Sequence, residues 1–299
     1  MKRLGCFWVA EEEGIAMKPS AFFPIAFAAT ILSLSGAHAQ SFSLGRAQAM
    51  AGAKDWNGLL AYSQAGTRAD PNNADAWFGM AIAYGSKEFG LGLQQPSNAA
   101  SAYQRAVSLR PNWPEAWYAL GMAQQELGQF DASIDDFKHA IQQAPNRMNY
   151  HISLAGTYSH QRKTDLAKQE LSIVEANAKT ANDWYVVGNE FYSLGGFAID
   201  LVSFQKAEAA YQRALQLAPQ VAHIWTNYGT AQEVLGKYQA ALSDFQKGSQ
   251  MGDSEGGKNY ARLQGDIEAC RLQASQMVQR GWVNRLEYFT YQQHCDKFR

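Results

Sequence analysis

Apolar and small side chains recur every three or four residues over most of the chain, which is the spacing that places them on one face of an α-helix. The pattern is clearest at 114–147, where Trp117 and Phe137 belong to two successive helical stretches. Gly128 lies between the stretches and tolerates a positive φ, and Pro145 stops the second one. This segment predicts two α-helices joined by a tight turn.

The same pattern returns with a period near 34 residues. Tryptophans at 77, 117, 184 and 225 are 40, 67 and 41 residues apart, so two insertions interrupt the period. Prolines at 71, 111, 145 and 219 each lie just before a unit begins. Repetition at this length is typical of stacked helix pairs, because one pair cannot bury its apolar stripe alone.

The unit at 114–147 closely resembles the tetratricopeptide repeat. Its Trp117, Leu120 and Gly121 fit the start of the first helix in that family, and Gln124 departs from the usual tyrosine. Further repeats are identified at 74–113, 148–180, 181–221 and 222–255, with a degenerate first repeat at 40–73. The resemblance implies an all-α fold, a right-handed superhelical solenoid of helix-turn-helix repeats with a C-terminal capping helical segment.

The C-terminal residues 256–299 leave the repeat pattern. The residues that recur there at helical spacing are Tyr260, Leu263, Ile267, Cys270, Ala274 and Met277. They predict an amphipathic helix that caps the last repeat, as stacked repeats require. The aromatic-rich stretch 282–291 is expected to continue as helix after a break at Gly281, either as part of the cap or as a second binding surface.

The two insertions fall at 86–97 and 196–206, between the first and second helices of their repeats. The first contains Gly90, Gly92 and Pro96 and is interpreted as a loop, whereas the second is compatible with a lengthened helix. Both are expected to be neutral decoration at the edge of the stack, and a functional lip is the alternative.

The N-terminal 39 residues have the pattern of a targeting segment. Residues 17–39 carry Lys18, an apolar stretch too short to span a bilayer, and Ala37-His38-Ala39, a cleavage pattern between Ala39 and Gln40. Residues 1–16 are interpreted as a mis-called extension, with an unusually long n-region of the signal peptide as the alternative. A periplasmic or secreted protein is expected.

Two cysteines, Cys270 and Cys295, remain after such a cleavage. In an oxidising compartment we expect them to form a disulfide. Intermolecular pairing, or a reactive thiol beside His294, is the alternative.

Composition and motifs argue against several functional classes. The 299 residues include 26 Lys and Arg against 27 Asp and Glu, a net charge of -1 that disfavours nucleic-acid binding. No metal, nucleotide or nucleophile motif occurs. The pair Asp135-Asp136 is expected to be solvated surface rather than a general acid and base. We therefore expect no catalysis, no cofactor and no metal, and no stable membrane insertion of the mature chain.

The resemblance implies that ligands lie in a concave groove lined by the first helix of each repeat. The predicted partner-binding residues are Phe78, Ile82, Tyr118, Met122, Gln125, Ile152, His160, Tyr185, Asn189, Tyr192, Thr226, Thr230 and Glu233. Gly85, Gly156 and Ser159 occupy the remaining groove positions. The set is aromatic and neutral, and lacks the cationic residues with which chaperone-binding members hold a C-terminal carboxylate.

Two functions fit this groove. A protein-interaction scaffold or adaptor in the cell envelope would bind an extended peptide or a partner's helix there. A glycan-binding subunit of polysaccharide export or cell-wall metabolism would instead stack sugar rings on the aromatic side chains. The mixture of aromatic residues with Asn and Gln does not separate the two.

Overall fold

The computed structural model describes residues 42–85, 92–198 and 200–280, together with Cys295. Thirteen α-helices and no β-strand occur in these ranges. The predicted all-α fold is confirmed. The proposed extension at 1–16, the signal peptide with its cleavage between Ala39 and Gln40, and the aromatic stretch 282–291 all lie outside the described residues.

The chain forms two compact units, which divide between Pro111 and Asn112. The helices of unit 1 are α1 (Leu44–Gly52), α2 (Trp56–Ala69), α3 (Ala74–Tyr84) and α4 (Pro96–Leu109). The first two repeats of unit 2 consist of α5 (Pro114–Glu126), α6 (Phe130–Gln143), α7 (Met148–His160) and α8 (Thr164–Asn177). They are followed by α9 (Ala181–Ala198), α10 (Leu201–Leu217), α11 (Ala222–Val234), α12 (Tyr238–Gln250) and α13 (Ser254–Gln279).

Unit 1 is held together by small and aromatic side chains. Phe42 and Leu59 are buried with alanines of α1 and α3. Phe78 of α3 is 1% exposed and lies edge-on to Tyr103 of α4, with the ring centroids 5.3 Å apart. Arg110 follows α4 and forms a bidentate ion pair with Asp75 in the first turn of α3, at 2.9 and 3.1 Å.

Three of the four helix pairs of unit 2 are packed in the same way. A glycine of the first helix receives an aromatic ring of the second helix, because a Cβ at that glycine would lie within 2.5 to 2.8 Å of the ring. The three glycine–ring pairs are Gly121 with Phe137, Gly188 with Tyr211, and Gly229 with Phe245. The three rings are almost completely buried. These glycine–ring sockets set how closely the two helices of a repeat approach each other.

The turns inside the pairs differ between repeats. Gly128 and Gly236 end their first helices with φ values of 72° and 77°. Arg162 takes the equivalent place after α7 with a φ of 57°, a region that residues other than glycine rarely adopt. The weaker match of 148–180 to the repeat pattern therefore includes its turn.

The second insertion lengthens helices. Helix α9 has 18 residues and α10 has 17, against 13 and 14 in the repeat at 114–147. Asp200 begins α10 by accepting the Val202 N–H, and its carboxylate also lies 2.7 Å from the Lys168 ammonium of α8. Of the first insertion, the structure describes only 92–97, where α4 starts at Pro96.

Helix α13 covers the last helix pair. Leu263 and Ile267 are buried against Ala241 and Phe245 of α12, as expected of a capping helix. The Cys270 and Cys295 Cα atoms are 5.6 Å apart and their sulfur atoms are joined in the structure. Formation of this bond in the cell depends on the compartment and stays a prediction. Among the described helices, none is both long and apolar enough to cross a lipid bilayer.

Candidate protein-binding face

The first helices of the repeats in unit 2 lie side by side. Helix α5 contacts α7, α7 contacts α9, α9 contacts α11, and α11 contacts α13. Each first helix presents a stripe of residues spaced by four and then three positions. The stripes are Tyr118, Met122 and Gln125; Ile152, Gly156 and Ser159; Tyr185, Asn189 and Tyr192; and Thr226, Thr230 and Glu233. We call the surface formed by these four stripes the first-helix face.

Tyrosines of this face join one first helix to the next. The Tyr118 hydroxyl of α5 and the Ser153 hydroxyl of α7 share a hydrogen bond of 3.0 Å. The Tyr118 ring also stacks on Tyr150, with the centroids 4.6 Å apart. Tyr118 is only 9% exposed. It therefore fixes the spacing of α5 and α7 more than it offers a surface to a ligand.

An amide network joins α9 to α11. The Asn227 side chain donates to the Tyr185 hydroxyl at 3.1 Å and to the Asn189 side-chain oxygen at 3.0 Å. Tyr211 of α10 donates to the same Asn189 oxygen at 2.8 Å. Tyr185 also meets His223 edge-on, with the centroids 4.8 Å apart. These hydrogen bonds hold the Asn189 side chain in one orientation on the face.

Gly156 leaves a gap in the middle of the first-helix face. A Cβ at this position would meet only the Gln125 side-chain nitrogen, at 4.0 Å, and no other atom within that distance. Ile152 and Gln125 beside the gap are half-buried, and so is Met122. A ligand's side chain therefore finds space at Gly156 with apolar and amide neighbours.

Two predicted binding residues are interior residues. Phe78 belongs to the core of unit 1, where Tyr103 contacts it. Thr226 is 3% exposed, because its hydroxyl donates to the Asp253 carboxylate in front of α13. The prediction that Phe78 and Thr226 face a ligand is therefore wrong.

The remaining predicted residues are accessible to different degrees. Thr230 is half-buried and donates to the Thr226 carbonyl of its own helix. Glu233 forms a bidentate ion pair with Arg262 of α13, at 2.9 and 2.6 Å. His160 is exposed and stacks on Phe130, whereas Tyr192 is half-buried and meets Phe204 edge-on. In unit 1, Ile82 is half-buried against the core.

The ionisable groups at this face are mostly shifted by burial. Burial raises the pKa of Glu190, next to Asn189 in α9, to about 7. Burial also raises the pKa of Tyr192, to which the nearby Glu233 carboxylate adds. Burial lowers the pKa of His223. Among the four stripes that define the face, Glu233 is the one carboxylate, and Arg262 of α13 pairs with it.

The described ranges contain no cluster of three His, Cys, Asp or Glu side chains able to hold a metal ion. The chemistry that this face offers is hydrogen bonding by amides and hydroxyls, together with apolar contact.

Sequence reasoning missed the partners that occupy these side chains. Ser153 and Asn227 each stand one position after the residue that aligns with Tyr118 or Tyr185. Ser153 lies 35 residues after Tyr118, which is one repeat plus one residue. This offset of one repeat plus one residue could have predicted the contact from the sequence. A side chain that leans toward the first helix of the next repeat meets the residue one position after its own equivalent. Asp253 gave no such signal, because it lies outside the repeat.

Comparison with known families identifies two segments of the chain. Residues 114–147 and residues 198–254 each match a family profile described as Tetratricopeptide repeat. Such repeats support a role in protein–protein interaction.

Curated relatives match about half of this chain. The human Protein O-mannosyl-transferase TMTC1 is 27% identical over 153 residues, which cover 51% of this chain and 17% of that protein. Superkiller protein 3 of Schizosaccharomyces pombe is 23% identical over 155 residues, covering 50% of this chain and 11% of that protein. This chain thus spans less than a fifth of the length of either relative.

Solved structures share the fold. The C-terminal part of a TPR repeat-containing protein from Cytophaga hutchinsonii has a TM-score of 0.56 at 15% identity, covering 85% of this chain and 96% of that chain. The APC/C hetero-tetramer Cut9-Hcn1 has a TM-score of 0.53 at 18% identity, covering 91% of this chain and 52% of that chain. At these identities the likeness concerns the fold alone.

Proposed function

We propose, from the premise that this chain carries tetratricopeptide repeats over 114–147 and 198–254, that it is a non-catalytic scaffold which binds a protein partner at the first-helix face of unit 2. The partner supplies an extended peptide or a helix. The observation that carries the proposal is the gap at Gly156. This gap lies between neighbouring first helices whose tyrosine and asparagine side chains are already fixed by hydrogen bonds.

A fixed face favours binding, because fewer side chains lose conformational freedom when the partner arrives. Asn189 is held by Tyr211 and Asn227, and Tyr118 is held by Ser153 and Tyr150. Between these two groups, Met122, Gln125 and Ile152 remain half-buried beside the gap. An apolar side chain of the partner fits at Gly156, and the partner's backbone meets the amide of Gln125.

A glycan is the less favoured ligand, because a sugar ring needs an uncovered aromatic ring to stack on. Tyr118 is stacked on Tyr150 and almost completely buried, and Tyr185 is half-buried and meets His223 edge-on. Binding of a polysaccharide in place of a protein is accordingly an outcome of the experiment below.

The proposed location is the cell envelope, either the periplasm or the outside of the cell. It is supported by the Ala37-His38-Ala39 cleavage pattern in the sequence and by the pairing geometry of Cys270 and Cys295. A disulfide between them persists only in an oxidising compartment.

The test is photo-crosslinking in the native host with a crosslinking amino acid in place of Met122, and Asp135 on the exposed side of α6 as the control position. We expect a discrete protein adduct at 122 and none at 135. The adduct should be found in the periplasmic or secreted fraction, and mass spectrometry names the partner. Adducts at both positions, or a polysaccharide adduct at 122, would contradict a protein-binding first-helix face.

A pair of glycine variants sharpens the test. Gly156→Phe fills the gap, and Gly265→Phe adds the same ring on α13, where nothing lies within 4 Å of an added Cβ. Both replace a helical glycine, so both should keep or slightly raise the melting temperature. We expect Gly156→Phe to abolish the adduct at 122 and Gly265→Phe to retain it. Equal adducts in the two variants would place the partner elsewhere.

A further inference from the structure

We propose that His151 is a proton-operated latch between α7 and α8, closed while the imidazole ring carries a proton on each of its two nitrogens. The proposal goes beyond the proposed function and does not depend on it.

The geometry of the ring requires two protons. Nδ1 of His151 lies 2.7 Å from the Glu170 Oε2 atom of α8, and Nε2 lies 2.9 Å from the Pro145 carbonyl oxygen. A carbonyl oxygen only accepts a hydrogen bond, and so does an ionised carboxylate. Beside an ionised Glu170, both hydrogen bonds therefore exist together only in the imidazolium ion. A neutral ring has one N–H, so one of the two contacts becomes a repulsion between lone pairs.

The equivalent position in other repeats holds a residue without a titratable proton. Trp77 donates its indole N–H to the Pro71 carbonyl at 2.9 Å, and Trp225 donates to the Pro219 carbonyl at 2.8 Å. His151 keeps the same link to the carbonyl of a proline six residues earlier and adds the bond to Glu170. The exchange of tryptophan for histidine thus makes the attachment of α7 depend on a proton.

The His151 side chain is buried, so the loss of one of its hydrogen bonds affects the packing of the helix pair. Its side chain is only 6% exposed, and the Glu170 side chain is 20% exposed. When the buried ring loses a proton, it also loses one of its two hydrogen bonds, and water does not readily replace that bond. The loss therefore weakens the packing of α7 on α8.

Glu170 is the charged group that faces the ring from α8. Other charged or titratable groups on and next to the neighbouring helices have partners of their own. Arg147, which precedes α7, lies 3.5 Å from Glu115 of α5, and Lys168 of α8 pairs with Asp200. The His139 ring of α6 bonds the Asp135 carbonyl, and Asp183 of α9 accepts the backbone N–H groups of Lys179 and Thr180.

The direction of the pH effect follows from Glu170. The hydrogen bond to the Glu170 carboxylate raises the pKa of His151, and burial opposes it only in part. A raised pKa in the folded state means that the stabilisation is fully present below the ordinary histidine value of about 6.5 and is lost as the pH rises through the folded value. The latch is therefore closed in mild acid and open in alkali.

The test follows the His151 ring in the full chain by nitrogen-detected NMR from pH 5 to pH 9. We expect both ring nitrogens to be protonated at pH 6, with a midpoint above the ordinary histidine value of about 6.5. Glu170→Gln removes the carboxylate and should lower the His151 midpoint by about one pH unit or more. A neutral His151 at pH 6, or an unchanged midpoint in Glu170→Gln, would overturn the latch.

A second measurement reports the helix pair itself. Amide hydrogen exchange of 148–152, corrected for the intrinsic effect of pH, should speed up about tenfold between pH 6 and pH 9, which corresponds to ~1.4 kcal/mol. His151→Trp restores the residue of the other repeats and should abolish that change, whereas His139→Gln should leave it intact. A wild-type exchange rate that is independent of pH would contradict the latch even if the variants fold poorly.

Discussion

The repeats at 114–147 and 222–255 have the same frame and treat one buried carboxylate differently. Each has a glycine–ring socket, and each has an aspartate just before the ring residue, Asp136 in one and Asp244 in the other. Both aspartates are almost completely buried, at 7% and 5% exposure. Their surroundings differ three residues further along the helix.

In the later repeat a lysine stands there. The Lys247 ammonium lies 3.0 Å from the Asp244 carboxylate and 4.2 Å from the centre of the Trp225 ring. The lysine therefore neutralises the carboxylate and also covers the tryptophan.

In the earlier repeat a histidine stands there. The His139 ring stacks on Trp117 with centroids 4.6 Å apart, but its Nδ1 bonds the Asp135 carbonyl. The Asp136 Oδ2 atom and the Gln124 Oε1 atom have no hydrogen-bond partner among the described residues. Burial raises the pKa of Asp136 to about 7, and the nearby His139 lowers it only in part.

The comparison teaches that the repeat frame fixes the position of a buried acid but not its partner. The residue one helical turn further on gives Asp244 an ammonium partner, whereas the imidazole ring at that place beside Asp136 bonds the Asp135 carbonyl instead. The expectation that Asp135-Asp136 is solvated surface is wrong for Asp136, while Asp135 is exposed.

The largest expected effect tests what the two repeats share. Phe137→Ala and Phe245→Ala each empty a glycine–ring socket, and each should lower the free energy of unfolding by about 3–5 kcal/mol. Urea unfolding followed by tryptophan fluorescence measures the change. Phe130→Ala removes a half-buried ring of α6 and serves as the control with a smaller loss. If the two substitutions lowered the free energy of unfolding by amounts that differ several-fold, the two sockets would not be equivalent.

A smaller effect tests where they differ. The raised pKa of Asp136 makes the folded state bind the proton more tightly, so its contribution to stability falls as the pH rises from about 4 to about 7. Asp136→Asn should not show this loss. We expect the free energy of unfolding of wild type, relative to that of Asp136→Asn, to fall by on the order of 2–4 kcal/mol between pH 4 and pH 8, as measured by urea unfolding at pH 4, 6 and 8.

The same substitution in the later repeat is the control. Asp244→Asn leaves the Lys247 ammonium without its carboxylate, so it should destabilise the protein at pH 8 rather than stabilise it. A stability gain at pH 8 for both asparagine variants would mean that the two acids are equivalent.

The smallest effect exchanges the deciding residue. His139→Lys places an ammonium three residues after Asp136 and should lower the pKa of that carboxyl by about one unit or more. The accompanying gain in stability at pH 8 should be about 1 kcal/mol, since the added charge is on the surface. Carboxyl NMR of Asp136 measures the pKa. Lys138→His, at an exposed neighbouring position, is the control and should leave the Asp136 pKa unchanged.

The fold could be predicted because its determinants repeat along the chain. The spacing of Gly121 and Phe137 recurs at Gly229 and Phe245, so each repeat corroborates the others. The candidate face could be predicted only in part. Thr226 has the same register as the half-buried Tyr185, yet it is buried where Asp253 and α13, which do not follow the repeat, approach it.

The charge state of Asp136 could not be read from the sequence either. Adjacent residues on a helix point about 100° apart, so one of two neighbouring acids can face the solvent while the other faces the core. Which of the two turns inward depends on the neighbouring helix, where Gln124 takes the place of the usual tyrosine.

The glycine–ring socket also makes each helix pair that contains one an interchangeable unit. The ring on the second helix packs against the glycine on the first helix of the same repeat, so this joint lies within a single repeat. A helix pair could then be duplicated, deleted or moved to a designed array without rebuilding that joint. What must be redesigned at each new border is the match between successive first helices, such as Tyr118 with Ser153. In evolutionary terms, the length of such an array is free to change while its joints stay the same.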